Sequence, residues 1–452
     1  MSGGNTGPGN GGARRWAEHG AERAAETRQI RSLAHPLASA DDLEPLVRLA
    51  APARFVCLGE ASHGTQEYYH WRALLSRRLI EEYGFTWIGV EGDWPDCWRI
   101  NRWVRGEAGQ DLDARRLLAG FERWPTWMWA NHEVAEFLTW LRGWNLRLPE
   151  HQRTGFYGLD VYSLWDSLRE IFTWLEANAA DALPAAHQAW RCFVPFREDP
   201  QRYAWSNRLV PQSCEADVVS LLAEVRRRAL GRVHDDPAAF DAVQNAIVAT
   251  NAERYYRTMV RGDRQSWNIR DHHMSDTIDR LAEHHGPGSK GLVWAHNTHV
   301  GDARATDMAH DGMVNIGQLV RQRHPGEVVL AGFASFAGSV TAAESWGSPE
   351  WTMDVPAAAH GSHEELLNQA LGEPSLLVFG AERSGPWLGS WRGHRAIGVV
   401  YNPHRERGNY VPTRMGERYD ALFWHPRTEA LRPLHHEYVP GEPELETEPT
   451  GF

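Results

Sequence analysis

The chain has 452 residues, 42% of them hydrophobic, and carries 59 acidic against 47 basic residues for a formal net charge of -12. That length and apolar content can bury a large core, while the acidic balance excludes a general affinity for nucleic acid or anionic membrane, which need a basic face. No apolar run reaches membrane-spanning length, and the opening MSGGNTGPGNGGARRW lacks the apolar segment of a secretory signal, so a soluble, cytoplasmic protein is expected.

In chain order, the glycine-rich residues 1–13 read as a disordered tail. The first part of an α/β core is expected over 30–163. It opens with a short apolar run at Arg54 to Gly59, followed by a helix-length stretch, Gln66 to Tyr83, with apolar residues at Tyr68, Trp71, Leu75 and Leu79. A second strand-like run, Thr86 to Val90, completes a strand, helix, strand unit whose strands should lie parallel. Thr154 to Leu159 is a third strand. From Leu164 to about His285 the alternation stops, and stretches such as Ala216 to Leu230, Asp241 to Val260 and Trp267 to Leu281 read as helices. The expectation is a helical subdomain, 164–288, over the carboxyl ends of the strands. The core resumes over 289–438 with strands at Gly291 to Ala295, Glu327 to Phe333, Ser375 to Phe379, Arg395 to Val400 and Ala421 to Trp424, and an acidic tail occupies 439–452. The fold class is α/β: a mostly parallel central sheet with flanking helices, an inserted helical subdomain and a cleft at the strands' carboxyl ends.

Composition also prunes the chemistry. Lys290 is the only lysine and follows Gly286 to Ser289 in an expected loop, which argues against Schiff-base catalysis. Cys57, Cys97, Cys192 and Cys214 form no CxxC pair and read as reduced, mostly buried thiols. Tryptophan is abundant at 22, and the cluster Trp124, Trp127, Trp129, Trp140 and Trp144 reads first as core packing and second as a substrate wall.

Four expected strands are each followed at once by ionisable residues: Glu60 and His63, Glu91 and Asp93, Asp160, then His296 and His299. One such residue usually caps a helix or bonds in a loop; four in succession at the edge where α/β sheets bind ligands point to a shared site. G-x-S-x-G is absent, and Ser62 reads as a cap for the following helix rather than a nucleophile. His63 is then the natural general base, with Glu60 or Glu91 to orient its ring and His296, His299 or Arg72 to donate to an oxyanion. A metal bound by the same histidines and carboxylates is the rival, although HExxH is absent and His132-Glu133 lacks the second histidine. A third possibility is a cleft that binds haem or a polyketide without turnover.

The blocks GEASHGTQEYYHWR, VEGDWPDCWRINRWVRG, FERWPTWMW, YGLDVYSLWDSL, NAERYYRTMVRGDRQSWNIRDHHM, VWAHNTHVGD and YDALFWHPRTEALRPL, running in that order from Gly59 to Leu434, resemble the erythromycin esterase family. The resemblance implies hydrolysis of a lactone or related ester by histidine-activated water, with no acyl-enzyme and no cofactor or essential metal. It implies His63 as base, Glu60, Glu91 and His296 as catalytic partners, and Arg72 and His299 in the pocket. Asp93, Asp160, Arg270 and Asp271 lie in matching blocks as candidate substrate-binding residues. The tryptophan-rich blocks are closest to the family's broad environmental branch, not to its dedicated antibiotic-resistance members, so the resemblance names an ester hydrolase without naming the ester, a macrolide or another. The implied partner is a small molecule; the oligomeric state is left open.

Overall fold

The computed structural model describes residues 10–434, apart from 110, 197–198, 210–212, 260–262 and 381–382. The acidic tail at 439–452 and residues 1–9 of the glycine-rich start therefore lie outside the described residues, whereas Asn10 to Ala13 open the helix Asn10–Leu33.

Eleven strands are found among the described residues: β1 (Ala34–Pro36), β2 (Phe55–Leu58), β3 (Phe85–Val90), β4 (Gly155–Gly158), β5 (Lys290–Trp294), β6 (Val328–Ala343), β7 (Glu350–Val355), β8 (Ser375–Val378), β9 (Trp391–Arg395), β10 (Tyr410–Arg414) and β11 (Ala421–Thr428). Nine form one sheet in the order β1-β8-β11-β6-β2-β5-β3-β4, with β7 paired to β6. The five pairings from β11 across to β4 are parallel, and β1, β7 and β8 add antiparallel edges. The chain is thus an α/β protein with a mostly parallel central sheet.

Period-2 alternation decides which face each residue covers. In β2, Val56 and Leu58 join one apolar cluster, against helices such as Gln66–Tyr83 and His132–Asn145, while Phe55 and Cys57 join the cluster on the other face. In β5, Leu292 and Trp294 take the first face and Val293 the second. Both faces are buried, which explains why the parallel strands read as continuous apolar runs. Trp127 and Trp129 are buried in the first cluster, and Trp124, Trp140 and Trp144 pack against it.

Between β4 and β5 the chain runs through the helices Leu164–Asn178, Leu183–Phe193, Pro200–Leu209, Glu215–Ala229, Pro237–Met259 and Asp263–His284, most of which share a third apolar cluster. Cys192 and Cys214 are joined there in a disulfide, so the expectation of four free thiols fails for two of them. Helix packing brings them together across 22 residues, a proximity that spacing alone does not reveal. Cys57 and Cys97 are free and buried. No described helix is long and apolar enough to cross a membrane.

Three local expectations are corrected. Lys290 opens β5 instead of lying in a loop, and its ammonium donates to the Ala51 carbonyl at 2.7 Å. Arg395 to Val400 is not a strand of the sheet: β9 ends at Arg395 in a separate two-stranded ribbon with β10, and Ile397 and Val400 make only isolated bridges to Ser62 and Ala343. The apolar run is there because Ala396, Ile397 and Val399 are buried, and burial without a ladder looks the same in sequence. The strand expected at Glu327 to Phe333 continues to Ala343. At Gly338, where φ is +149°, β6 passes from its pairing with β11 to its hairpin with β7, and a Cβ there would lie 2.0 Å from the Thr428 carbonyl oxygen.

Candidate active site

The sheet order makes β2, β5, β3 and β4 consecutive parallel neighbours, so the residues that follow them line up along one edge: Glu60 and His63, His296 and His299, Glu91 and Asp93, and Asp160. Gly59 lets the end of β2 approach the β5 turn, since a Cβ at that position would lie 2.1 Å from Asn297 Oδ1.

His63 Nδ1 lies 2.9 Å from Glu60 Oε1, and Arg72 Nη2 donates to Glu60 Oε2 at 2.8 Å. An ionised carboxylate only accepts, so Nδ1 carries a ring proton. Arg72 is fully buried between the Tyr69 and Trp294 rings, 4.3 and 5.1 Å from its guanidinium carbon. The Tyr69 hydroxyl in turn donates to the carbonyls of His63, at 2.9 Å, and Met128, at 2.8 Å, tying the histidine turn to the tryptophan-rich loop. Ser62 does not cap the following helix: its hydroxyl pairs with that of Thr65, which occupies the N-cap position.

A second arrangement centres on Arg270 from the helix Asp263–His284. Its Nε and Nη2 hold Asp160 at 3.0 and 2.7 Å, Nη2 also donates to Glu91 Oε1 at 2.8 Å, and Nη1 stands 3.1 Å from His299 Nε2. The other Glu91 oxygen accepts the His296 backbone N–H at 2.7 Å. His299 Nδ1 bonds Asp271 at 2.9 Å, and the Trp267 indole stacks on its ring at 4.5 Å. Burial disfavours the charged His299 ring, but Asp271 and Glu91 outweigh it and push the ring up to about 10. These carboxylates favour the charged ring, whose Nε2 lies 3.4 Å from Glu91 Oε1, while the Arg270 guanidinium 3.1 Å from the same nitrogen opposes it. Burial likewise pushes Glu91 up, yet the charges of His299 and Arg270 prevail and hold its carboxyl well below the usual range. Asp93 is raised by burial against the opposing pull of Arg123, whose guanidinium grips it at 2.5 and 3.2 Å.

These groups border a narrow cavity of about 50 Å³. His63, Glu91, Asp93, Asp160 and Arg270 line it on the polar side, and Phe121, Met128, Trp129, Trp346 and Val399 on the apolar side. Of the residues singled out from sequence, Glu60, Arg72, His296, His299 and Asp271 are buried and absent from this lining. Glu60, His296 and His299 touch residues that form it, the His296 ring lying 4.8 Å from that of His63, while Arg72 reaches it through Glu60 and the Asp271 carboxylate through His299. Sequence reasoning missed Arg123 and Tyr162, the ring of which has the guanidinium carbons of Arg123 and Arg270 within 4.7 and 4.9 Å. It also missed Trp346 and Val399. All four come from loops, where no periodicity marks a residue as facing a cavity. Trp129, expected first in the core, serves both purposes: its indole donates to the Glu91 carbonyl at 2.9 Å.

Among the described residues, no three histidine, cysteine or carboxylate groups are arranged to hold a metal ion. Where Glu91 and Asp160 converge, the guanidinium of Arg270 already supplies the positive charge.

The erythromycin esterase family profile matches residues 80–428. Erythromycin esterase type II from Escherichia coli is 22% identical over 329 residues, covering 69% of this chain and 75% of that protein. A Bacillus cereus protein of solved structure shares the fold with a TM-score of 0.75 at 20% identity, over 90% of this chain and 99% of its own. A mutant of the erythromycin esterase EreC, solved in its open conformation, aligns with a TM-score of 0.60 at 20% identity, over 87% of this chain and 95% of its own.

Proposed function

This chain belongs to the erythromycin esterase family, and from that premise we propose that it hydrolyses a carboxylic ester, a lactone being the leading class, with water activated by His63. The observation that carries the reading is His63 on the cavity wall, backed by the buried Glu60: the carboxylate fixes a ring proton on Nδ1 and leaves Nε2 as the base. In the proposed reaction His63 Nε2 takes a proton from water as its oxygen bonds to the ester carbonyl carbon. Glu60, itself held by Arg72, stabilises the imidazolium. The oxyanion is met by donors on the β5 side, His296 and Arg270. The carbon–alkoxide bond then breaks, the alkoxide takes the proton from His63, and acid and alcohol leave. His299 is given no part as a base, since Asp271 and Glu91 favour its charged form; it in turn favours the charged form of Glu91.

The reading includes neither a metal nor a covalent acyl-enzyme. Arg270 supports the first point by occupying the meeting place of Glu91 and Asp160, and Ser62 supports the second, because its hydroxyl is engaged by Thr65. The test is a panel of aryl esters, simple lactones and macrolactones incubated with the purified chain, with mass spectrometry to detect gain of one water. Hydrolysis that persists in chelator, with oxygen-18 from solvent entering the acid product in the first turnover, is the expected result. Failure of every ester and lactone to gain water would remove the proposal. Macrolides, and any part in antibiotic resistance, enter only as members of that panel.

A further inference from the structure

We propose that Thr298 is a positioning residue that fixes His296 as a neutral imidazole protonated on Nε2, so that the two packed rings hold opposite roles: His63 accepts and His296 donates. Its catalytic consequence rests on the hydrolytic reading above; its structural content does not. His296 Nδ1 lies 2.8 Å from the Thr298 hydroxyl and accepts the Thr298 backbone N–H at 3.3 Å, capping the short helix Asn297–Val300. A backbone amide only donates, so it favours a lone pair on Nδ1, but at 3.3 Å it is a long contact; the rotatable hydroxyl at 2.8 Å is the closer donor and the one that holds the tautomer. The ring's proton then belongs to Nε2. His63 is fixed the other way, because its Nδ1 faces a carboxylate. With centroids 4.8 Å apart, the rings are locked by their neighbours into complementary tautomers before any substrate arrives. A second proton on His296 would set Nδ1–H against the Thr298 amide, so the ring beside the base stays neutral. Both residues are fully buried, and Asn315 Nδ2 anchors the Thr298 carbonyl at 2.6 Å, which keeps the capping geometry rigid.

The test uses the full chain with nitrogen-15 histidine, assigning the His296 ring by comparison with a His296→Gln sample, in wild type, Thr298→Val and Thr298→Ser. Wild type without substrate should show His296 unprotonated at Nδ1 and protonated at Nε2 at neutral pH. Thr298→Val should populate the other tautomer and lower kcat about tenfold, with KM held within about twofold. Thr298→Ser should restore both. An Nδ1-protonated or doubly protonated His296 in wild type would overturn the proposal. So would a Thr298→Val protein whose tautomer is unchanged, or one whose tautomer shifts without loss of kcat. The wild-type spectrum decides even if Thr298→Val does not fold. It needs no turnover, so a wrong tautomer and a failure to hydrolyse esters are told apart.

Discussion

Two buried clusters in this molecule are built from the same residue types, and one of them borders the cavity described above. At the β2 edge, His63 bonds Glu60 at 2.9 Å; on the far side of the β5 turn, His394 Nδ1 bonds Glu364 Oε1 at 2.7 Å. The dyads look alike, but the second ring nitrogen of His394 meets Asn297 Nδ2 at 3.3 Å, and neighbouring His363 is held between the Thr413 carbonyl and the Trp387 indole. Glu364 also accepts the Arg395 backbone N–H at 2.8 Å. The second cluster therefore braces β9 and the turn after β5, while the histidine of the first lines the cavity. A histidine–carboxylate pair becomes a candidate for catalysis through where its ring stands, not through the pair itself.

The largest expected effect breaks the symmetry between them. His63→Ala should lower turnover about a hundred- to ten-thousandfold with the circular dichroism spectrum preserved. His394→Gln should leave kcat within severalfold, and the reverse outcome would dissolve the distinction. Next in size is Arg270→Met, which strands Glu91 and Asp160 as buried carboxylates and should cost about 3–5 kcal/mol in denaturant unfolding. The His394→Gln cost on the same assay should be smaller, about 1–3 kcal/mol, since Arg395 still serves Glu364 through its backbone.

The pH response should separate the clusters with the gentlest change. The ring of His299 is raised to about 10, so its contribution to stability is complete below the ordinary imidazole range and is lost as pH rises through about 10. Burial works to raise Glu364, but its bond to His394 together with the charges of His394 and Arg395 and the Arg395 amide outweighs it and lowers it to about 2; that contribution is complete above the ordinary carboxylate range and lost as pH falls through about 2. Thermal melts across pH should therefore lose an alkaline limb in His299→Gln and an acid limb in Glu364→Gln. Identical changes in both limbs would deny that the clusters are electrostatically distinct.

How much of this was legible in the sequence depends on the range of the interaction. Strands β2, β3, β4 and β5 announce themselves as short apolar runs, and the ionisable residues after them stand out because each follows its strand directly. Strand order is a different matter. Nothing local says that β5 lies between β2 and β3, and it is this order that packs the ring of His296 against that of His63. Residues 396–400 mislead because burial, not a ladder, explains their apolar character. Arg123, Tyr162, Trp346 and Thr298 escape notice for a related reason: each acts from a loop or a helix start, where no periodicity marks the residue. The Cys192–Cys214 bond is hidden by the same distance in sequence.

The place of β5 has a consequence for how the protein is made. A ribosome releases β2, β3 and β4 with a strand-wide gap between β2 and β3, and more than a hundred residues of helices must emerge before Lys290–Trp294 can fill it. Until then the exposed strand edges on either side of the gap are open to wrong partners. Nascent chains stalled before residue 290 should bind chaperones that chains stalled past β6 no longer need.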